Sequence, residues 1–212
     1  MLPRLLPLAL LAAALAAPTE GTAQNRRRRG APVYAVPRPA ERTRARRLGL
    51  GTRQAAQTLL FDRPHASWVV AAPGRPTRRY LWPVLNGIMT QGFDAQHGEH
   101  RALDIGAPCG TPIRAAHGGL VGYSEAFGNT GNIVVIVHPG GWVTAYGHTR
   151  RTLVAAGARV RRGQPIAEVG DTGDAHGCHV HFILYHNGRR IDPEPLMNGR
   201  PRASRAVATA RP

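Results

Sequence analysis

The sequence predicts an all-β domain from Tyr80 to Met197, and three observations carry the prediction. Short apolar runs in this region alternate with glycine-rich turns. Within the runs, apolar residues recur with the period of strands rather than helices. The region holds nine arginines and nine acidic residues and is neutral, so the whole excess behind the chain's net charge of +16 lies in the flanks.

Ile133-Val-Val-Ile-Val137 reads as a buried strand, ended by the turn Pro139-Gly140-Gly141, and the segment from Trp142 to Tyr146 returns beside it. Val154, Val160, Ile166 and Val169 alternate with Gly157, Gly163 and Gly170, which predicts small, tightly turned strands. The stretch from His179 to Tyr185 is a further strand, with Val180, Phe182 and Leu184 on one face. Asn187-Gly188 predicts a type I′ hairpin turn. Asp192-Pro193-Glu194-Pro195 closes the domain, and residues 198–212 read as a disordered basic tail.

Residues 24–79 are rich in Arg, Pro and Ala and read as a basic linker with one weak helix between Thr43 and Phe61. Leu48, Thr52, Ala55, Ala56, Leu59 and Leu60 fall near one face of that helix, and Asp62-Arg63-Pro64 ends it. All 28 basic residues of the chain are arginine. Basic flanks fit electrostatic contact with anionic envelope material, or a solvated arm. Nucleic-acid motifs are missing and no aromatic interrupts Arg26–Arg29, which argues against nucleic acid as a partner.

Residues 1–23 read as a signal peptide. Arg4 precedes an apolar run from Leu5 to Ala17, too short to span a bilayer, and small residues at Ala16, Ala17 and Ala23 offer cleavage sites. The expectation is export to the periplasm, the cell envelope or the exterior, with no transmembrane span in the mature chain. Arg26–Arg29 opposes translocation, and an uncleaved anchor is the competing reading.

His100-Arg-Ala-Leu-Asp104 and His179-Val-His181 look like two halves of one metal site, with Tyr146-Gly147-His148 between them. Residues two apart on a strand share a face, so His179 and His181 point together, opposite Val180, Phe182 and Leu184. His100 and Asp104 on a flat strand would have α-carbons about 13 Å apart, too far for one ion. A strand starting near Asp104, with His100 in the preceding loop, removes that obstacle. His97 is a rival ligand, while His117, His138, His176 and His186 read as surface or loop histidines. Cys178 precedes His179, and Cys109 lies five residues after Asp104. If the two segments meet, these cysteines are neighbours, and in an exported protein a Cys109–Cys178 disulfide is expected; free or metal-binding thiols are the alternative.

The combination resembles the M23 family of zinc metallopeptidases, the lysostaphin-type peptidoglycan endopeptidases. The resemblance runs from Trp82-Pro83-Val84 to Pro195, through Ala107-Pro-Cys-Gly-Thr-Pro112 and Gly157-x-x-Val160-x-x-Gly163-x-x-Ile166 as well as the histidine motifs. It implies an antiparallel split-barrel, duplicated-hybrid-motif-like peptidase domain. By position it implies His100, Asp104 and His181 as ligands of one zinc ion, and His148 and His179 as catalytic histidines. It further implies hydrolysis of peptide bonds in peptidoglycan cross-links or stems through a zinc-activated water. Tyr123, Phe127, Asn132, Trp142 and Tyr146 would line a peptide groove or belong to the core. The sequence departs from the family at three points: Ala102 stands where Gly is frequent, Ile183 where Glu is frequent, and no tyrosine stands just before His100, where some members place a transition-state donor.

A non-catalytic envelope module of the same fold that regulates other cell-wall hydrolases is the main alternative. A biotinyl or lipoyl carrier is excluded, since the chain has no acceptor lysine. An iron oxygenase triad would leave His148 and His179 without a purpose.

Overall fold

The computed structural model describes residues 34–198, except 63, 65, 74–78 and 96. The signal-peptide reading of residues 1–23, the Arg26–Arg29 run and all but the first residue of the predicted tail lie outside the described residues. Three helices come first: α1 (Pro39–Leu48), α2 (Arg53–Phe61) and α3 (Ala66–Ala71). Eleven strands follow: β1 (Ile88–Gln91), β2 (Leu103–Gly106), β3 (Pro112–Arg114), β4 (Gly119–Ala126), β5 (Asn132–Val137), β6 (Trp142–Gly147), β7 (Arg151–Thr152), β8 (Arg159–Val160), β9 (Pro165–Glu168), β10 (His179–His186) and β11 (Arg189–Ile191).

The fold is all-β and antiparallel in its body, as the sequence predicts. One large sheet has the order β1-β2-β10-β6-β5-β4-β8, with β11 pairing β10, and β3-β9-β7 form a smaller sheet. Asn187 (φ 51°) and Gly188 (φ 80°) are both left-handed, as a type I′ turn requires, and join β10 to β11.

The period-2 alternation sorts side chains into two cores. Val134 and Ile136 of β5 join Val180, Phe182 and Leu184 of β10 in a cluster with Ile113, Ile166 and Val169 from the small-sheet side. Their neighbours Ile133, Val135, Val137, Ile183 and Tyr185 point the other way and pack with Ala55, Ala56, Leu59, Leu60 and Trp68. Strand β10 is therefore covered on both faces over most of its length, not half-buried as its alternation with histidine suggests.

The second core corrects the linker reading of residues 24–79. Where described, this stretch forms three helices packed on the back of the sheet. The single helix predicted from Thr43 to Phe61 is broken at left-handed Gly49, so its residues belong to the second half of α1 and to α2; Thr52 caps α2 by accepting the Ala55 N–H at 3.0 Å. Leu59 fills the space left by Gly122, where an added Cβ would lie 2.4 Å from its Cδ1. Helix α1 docks through polar groups: Glu41 is buried, and the Arg44 guanidinium donates to the Gly157 carbonyl at 2.6 Å. Trp68 of α3 donates its indole N–H to the Leu48 carbonyl at 2.6 Å. Among the described residues, no helix is long and apolar enough to cross a membrane.

His138 also departs from expectation. It is buried, with Nδ1 2.9 Å from the Gly118 carbonyl and Nε2 2.8 Å from Thr144 Oγ1. Burial pulls its pKa down to about 3. Tyr123, Trp142 and Tyr146 are core residues rather than groove walls, and Asn132 is buried as well.

Candidate functional site

Strand register brings the separated motifs together. In the pairing of β10 with β2, His181 stands opposite Asp104 and His179 opposite Gly106. On its other side β10 pairs with β6, where His181 stands opposite Gly147 and thus beside His148. His100 lies in the loop before β2, as the distance argument requires. That loop folds back on itself through Asp94 N–H to His100 O (2.8 Å) and His100 N–H to Ala95 O (3.1 Å).

His100, Asp104 and His181 converge, with one potential ligand atom from each lying within 4.8 Å of the others. His181 Nδ1 is 2.8 Å from Asp104 Oδ1, and His100 Nε2 is 3.1 Å from Asp104 Oδ2. His179 Nε2 is farther, 3.8 Å from Asp104 Oδ1. The His148 ring centroid is 4.8 Å from that of His179 and 5.6 Å from that of His181. His97 is exposed and stands apart from the group. Together the five residues line a cleft of about 530 Å³, with Thr90, Gln91, Asp174 and His176 on its walls.

Backbone carbonyls aim the imidazoles. His100 Nδ1 faces the Gly92 carbonyl at 2.9 Å, His179 Nδ1 the Gly177 carbonyl at 2.9 Å, and His148 Nδ1 the Thr172 carbonyl at 2.8 Å. A carbonyl can only accept, so in each neutral ring Nδ1 carries the hydrogen and Nε2 keeps its lone pair. The consequence is sharpest at His100. Its Nε2 is buried without a hydrogen-bond partner, although Asp104 Oδ2 lies at ion-pair distance. Two acceptors face each other there, and only a shared cation or proton satisfies both. Two imidazole nitrogens and a carboxylate oxygen are a donor set that suits a divalent transition metal such as zinc.

Burial works to raise the Asp104 pKa. The His181 hydrogen bond and the charges of His181, His100 and His179 outweigh it and hold the carboxyl below its ordinary value. Burial lowers His148 below the usual histidine value, opposed by the Thr172 carbonyl and reinforced by His179 and His181. Both groups are thus kept as electron-pair donors at neutral pH.

Cys109 and Cys178 form a disulfide, with α-carbons 5.3 Å apart, in place of free or metal-binding thiols. It ties the loop after β2 to the residue that leads into His179. The groups that sequence reasoning missed are mostly backbone: the carbonyls of Gly92, Gly177 and Thr172. Their only sequence signal is glycine beside or at the turn.

The chain is 36% identical over 143 residues to the lipoprotein YgeR of Escherichia coli, covering 67% of this chain and 55% of that protein. It is 43% identical over 97 residues to the peptidoglycan DD-endopeptidase ShyC of Vibrio cholerae, covering 46% of this chain and 22% of the relative. It is 32% identical over 126 residues to the murein hydrolase activator EnvC of Escherichia coli, covering 58% and 30%. The chain thus spans little more than half the length of the first of these relatives and less than a third of the other two. Among solved structures, a peptidase M23 protein from Pseudomonas aeruginosa superposes with a TM-score of 0.55 at 30% identity, over 74% of this chain and 62% of that one. Residues 98–193, which contain every converging histidine and Asp104, match the model of peptidase family M23, so this part of the chain is a peptidase M23 domain.

Proposed function

We propose that this protein is an exported zinc endopeptidase that hydrolyses peptide bonds in peptidoglycan stems or cross-links. The observation that carries the reading is the facing pair of acceptors, His100 Nε2 and Asp104 Oδ2, beside His181 Nδ1. His100, Asp104 and His181 would hold one zinc ion. When bound, the metal supplies Lewis-acid polarisation of the scissile carbonyl and acidifies water toward a pKa of about 7.

His148 and His179 present Nε2 lone pairs into the same cleft, fixed by their Nδ1 contacts to carbonyls. Either can take a proton from the attacking water and return it to the leaving amine. Depression of the His148 pKa by burial keeps it unprotonated and ready to accept. Thr90, Gln91 and Asp174 offer polar contacts to the substrate's peptide groups on the cleft walls.

The second reading, a non-catalytic regulator of other hydrolases, draws on the relative named as a murein hydrolase activator. A module that only binds has no need of a cation site, and the facing lone pairs cost stability unless a cation or a proton is shared between them. The arrangement therefore favours the enzyme.

The test is peptide release from purified sacculi, read by mass spectrometry, with zinc, with chelator, and with His181→Ala. Chelator-sensitive release that is lost in the variant supports the peptidase, and the new termini identify the bond cut. A zinc-loaded protein that releases nothing, yet stimulates a second hydrolase, refutes it in favour of the regulator.

A further inference from the structure

We infer that Thr172 is a positioning residue for His148: it fixes which ring nitrogen faces the cleft and holds the ring beside His179. The inference depends on the peptidase reading only for what His148 does, not for how it is held.

Thr172 makes three bonds that converge on His148. Its carbonyl accepts from His148 Nδ1 at 2.8 Å. Its hydroxyl accepts from the Asn132 N–H at 3.0 Å and donates to the Thr149 carbonyl at 2.9 Å. Asn132 opens β5, and Thr149 follows His148 directly. The side chain therefore pins the Thr172 α-carbon to the two backbone segments beside His148, which restricts where its carbonyl can lie.

The surrounding backbone leaves little slack. A Cβ added at Gly131 would lie 2.4 Å from the Thr172 carbonyl carbon. Gly173 is left-handed (φ +74°), and a Cβ there would lie 2.3 Å from the Asn129 carbonyl oxygen. His148 itself adopts φ +59°, a region that side-chain-bearing residues disfavour, and its N–H donates to the Thr130 carbonyl at 2.8 Å. Strain of this kind persists only where the surroundings over-determine it. Moving the proton to Nε2 would set the Nδ1 lone pair against the Thr172 carbonyl, so the fixed carbonyl selects the tautomer with Nε2 free.

Thr172→Val keeps the shape and the carbonyl but removes both hydroxyl bonds; Thr172→Ala removes them without a branched side chain; Thr172→Ser retains them. The experiment is nitrogen-15 NMR of the histidine rings in zinc-loaded protein above neutral pH, beside steady-state kinetics on a cross-linked stem peptide. In the parent and Thr172→Ser, His148 is expected as a single Nδ1–H tautomer. In Thr172→Val and Thr172→Ala it becomes a mixture, kcat falls about tenfold, and KM and zinc content hold. A single tautomer with parental kcat in either folded variant overturns the inference, as does a serine variant that fails to restore the parental spectrum. The tautomer is read without turnover, so a protein that cleaves nothing would refute the peptidase reading and still test Thr172.

Discussion

Leu59→Ala should cost about 3–5 kcal/mol of stability if the N-terminal helices are part of the folded domain. Leu59 is fully buried, its Cδ1 seated over Gly122 of β4, and its neighbours Leu60, Ala56 and Trp68 close the rest of the site. The hydrogen-bonded backbone of β4 cannot collapse into the space that truncation leaves, which places the cost toward the upper part of the range for a buried leucine. For a domain of this size, roughly 2–4 °C is lost per kcal/mol, so Tm should fall by about 6–20 °C. Urea unfolding followed by far-UV circular dichroism gives the free energy, and a thermal scan gives Tm. Val70→Ala in α3, at a position 85% exposed, is the matched control and should stay within about 0.5 kcal/mol of the parent. A Leu59→Ala protein that is no less stable than the control would show that these helices do not cover the sheet in solution. A mere linker, as composition alone suggests, predicts that null result.

Asp104→Asn should retain the fold but lose zinc affinity by more than the roughly 10–100-fold that outlying partners of a metal site control. In the parent, zinc at a thousand times its Kd should stabilise by about 4 kcal/mol, a gain that differential scanning calorimetry should not find in the variant. His138 should contribute to acid lability. The unfolded chain takes up its proton near pH 6.5, while the native state resists until about pH 3, so stability falls as pH drops through that window by up to about 1.4 kcal/mol per unit. His138→Gln should flatten this limb, and an unchanged slope would count against a neutral buried imidazole. Exposed Arg42, Arg46 and Arg47 of α1 are the residues to change for testing contact with anionic envelope material, since deleting the helices would uncover the sheet. Replacing all three by Gln should weaken cosedimentation with sacculi at low salt, with the difference vanishing as salt screens it.

The residues of the candidate metal site were legible because they are side chains whose chemistry shows in their identity, and because strand periodicity fixes that His179 and His181 share a face. The need for His100 to sit in a loop followed from a distance alone, and the chain indeed folds back between Gln91 and His100. What aims the rings was hidden, since any residue can offer a carbonyl. The first half of helix α1 was hidden for a different reason. Besides the Ala45 and Leu48 contacts, α1 docks through buried Glu41 and the Arg44–Gly157 contact, a polar mode that hydrophobic periodicity does not register. His138 reads as a turn residue before Pro139, yet its ring folds inward onto Gly118 and Thr144.

Two of the departures from the family pattern, Ala102 and Ile183, share one environment. Both are buried, and both belong to the apolar cluster that contains Leu59, Leu60 and Trp68 of the helical layer. Ile183 follows His181 on the same side of β10, but at that point the strand has left the cleft and runs beneath the helices. A carboxylate there would be desolvated against aliphatic and aromatic carbon, so isoleucine is what the covered position demands. The helical cover thus accounts for an apolar residue at position 183. Ile183→Glu separates this account from the view that the site is impaired by a missing partner. Here it should destabilise the protein by about 3–5 kcal/mol, the cost of an uncompensated buried charge, and leave zinc affinity in the remaining folded fraction no tighter. Urea titration and competition with a chromogenic chelator measure the two quantities. Tighter zinc binding with parental stability would mean that the glutamate reaches the site and that the helices do not close over residue 183.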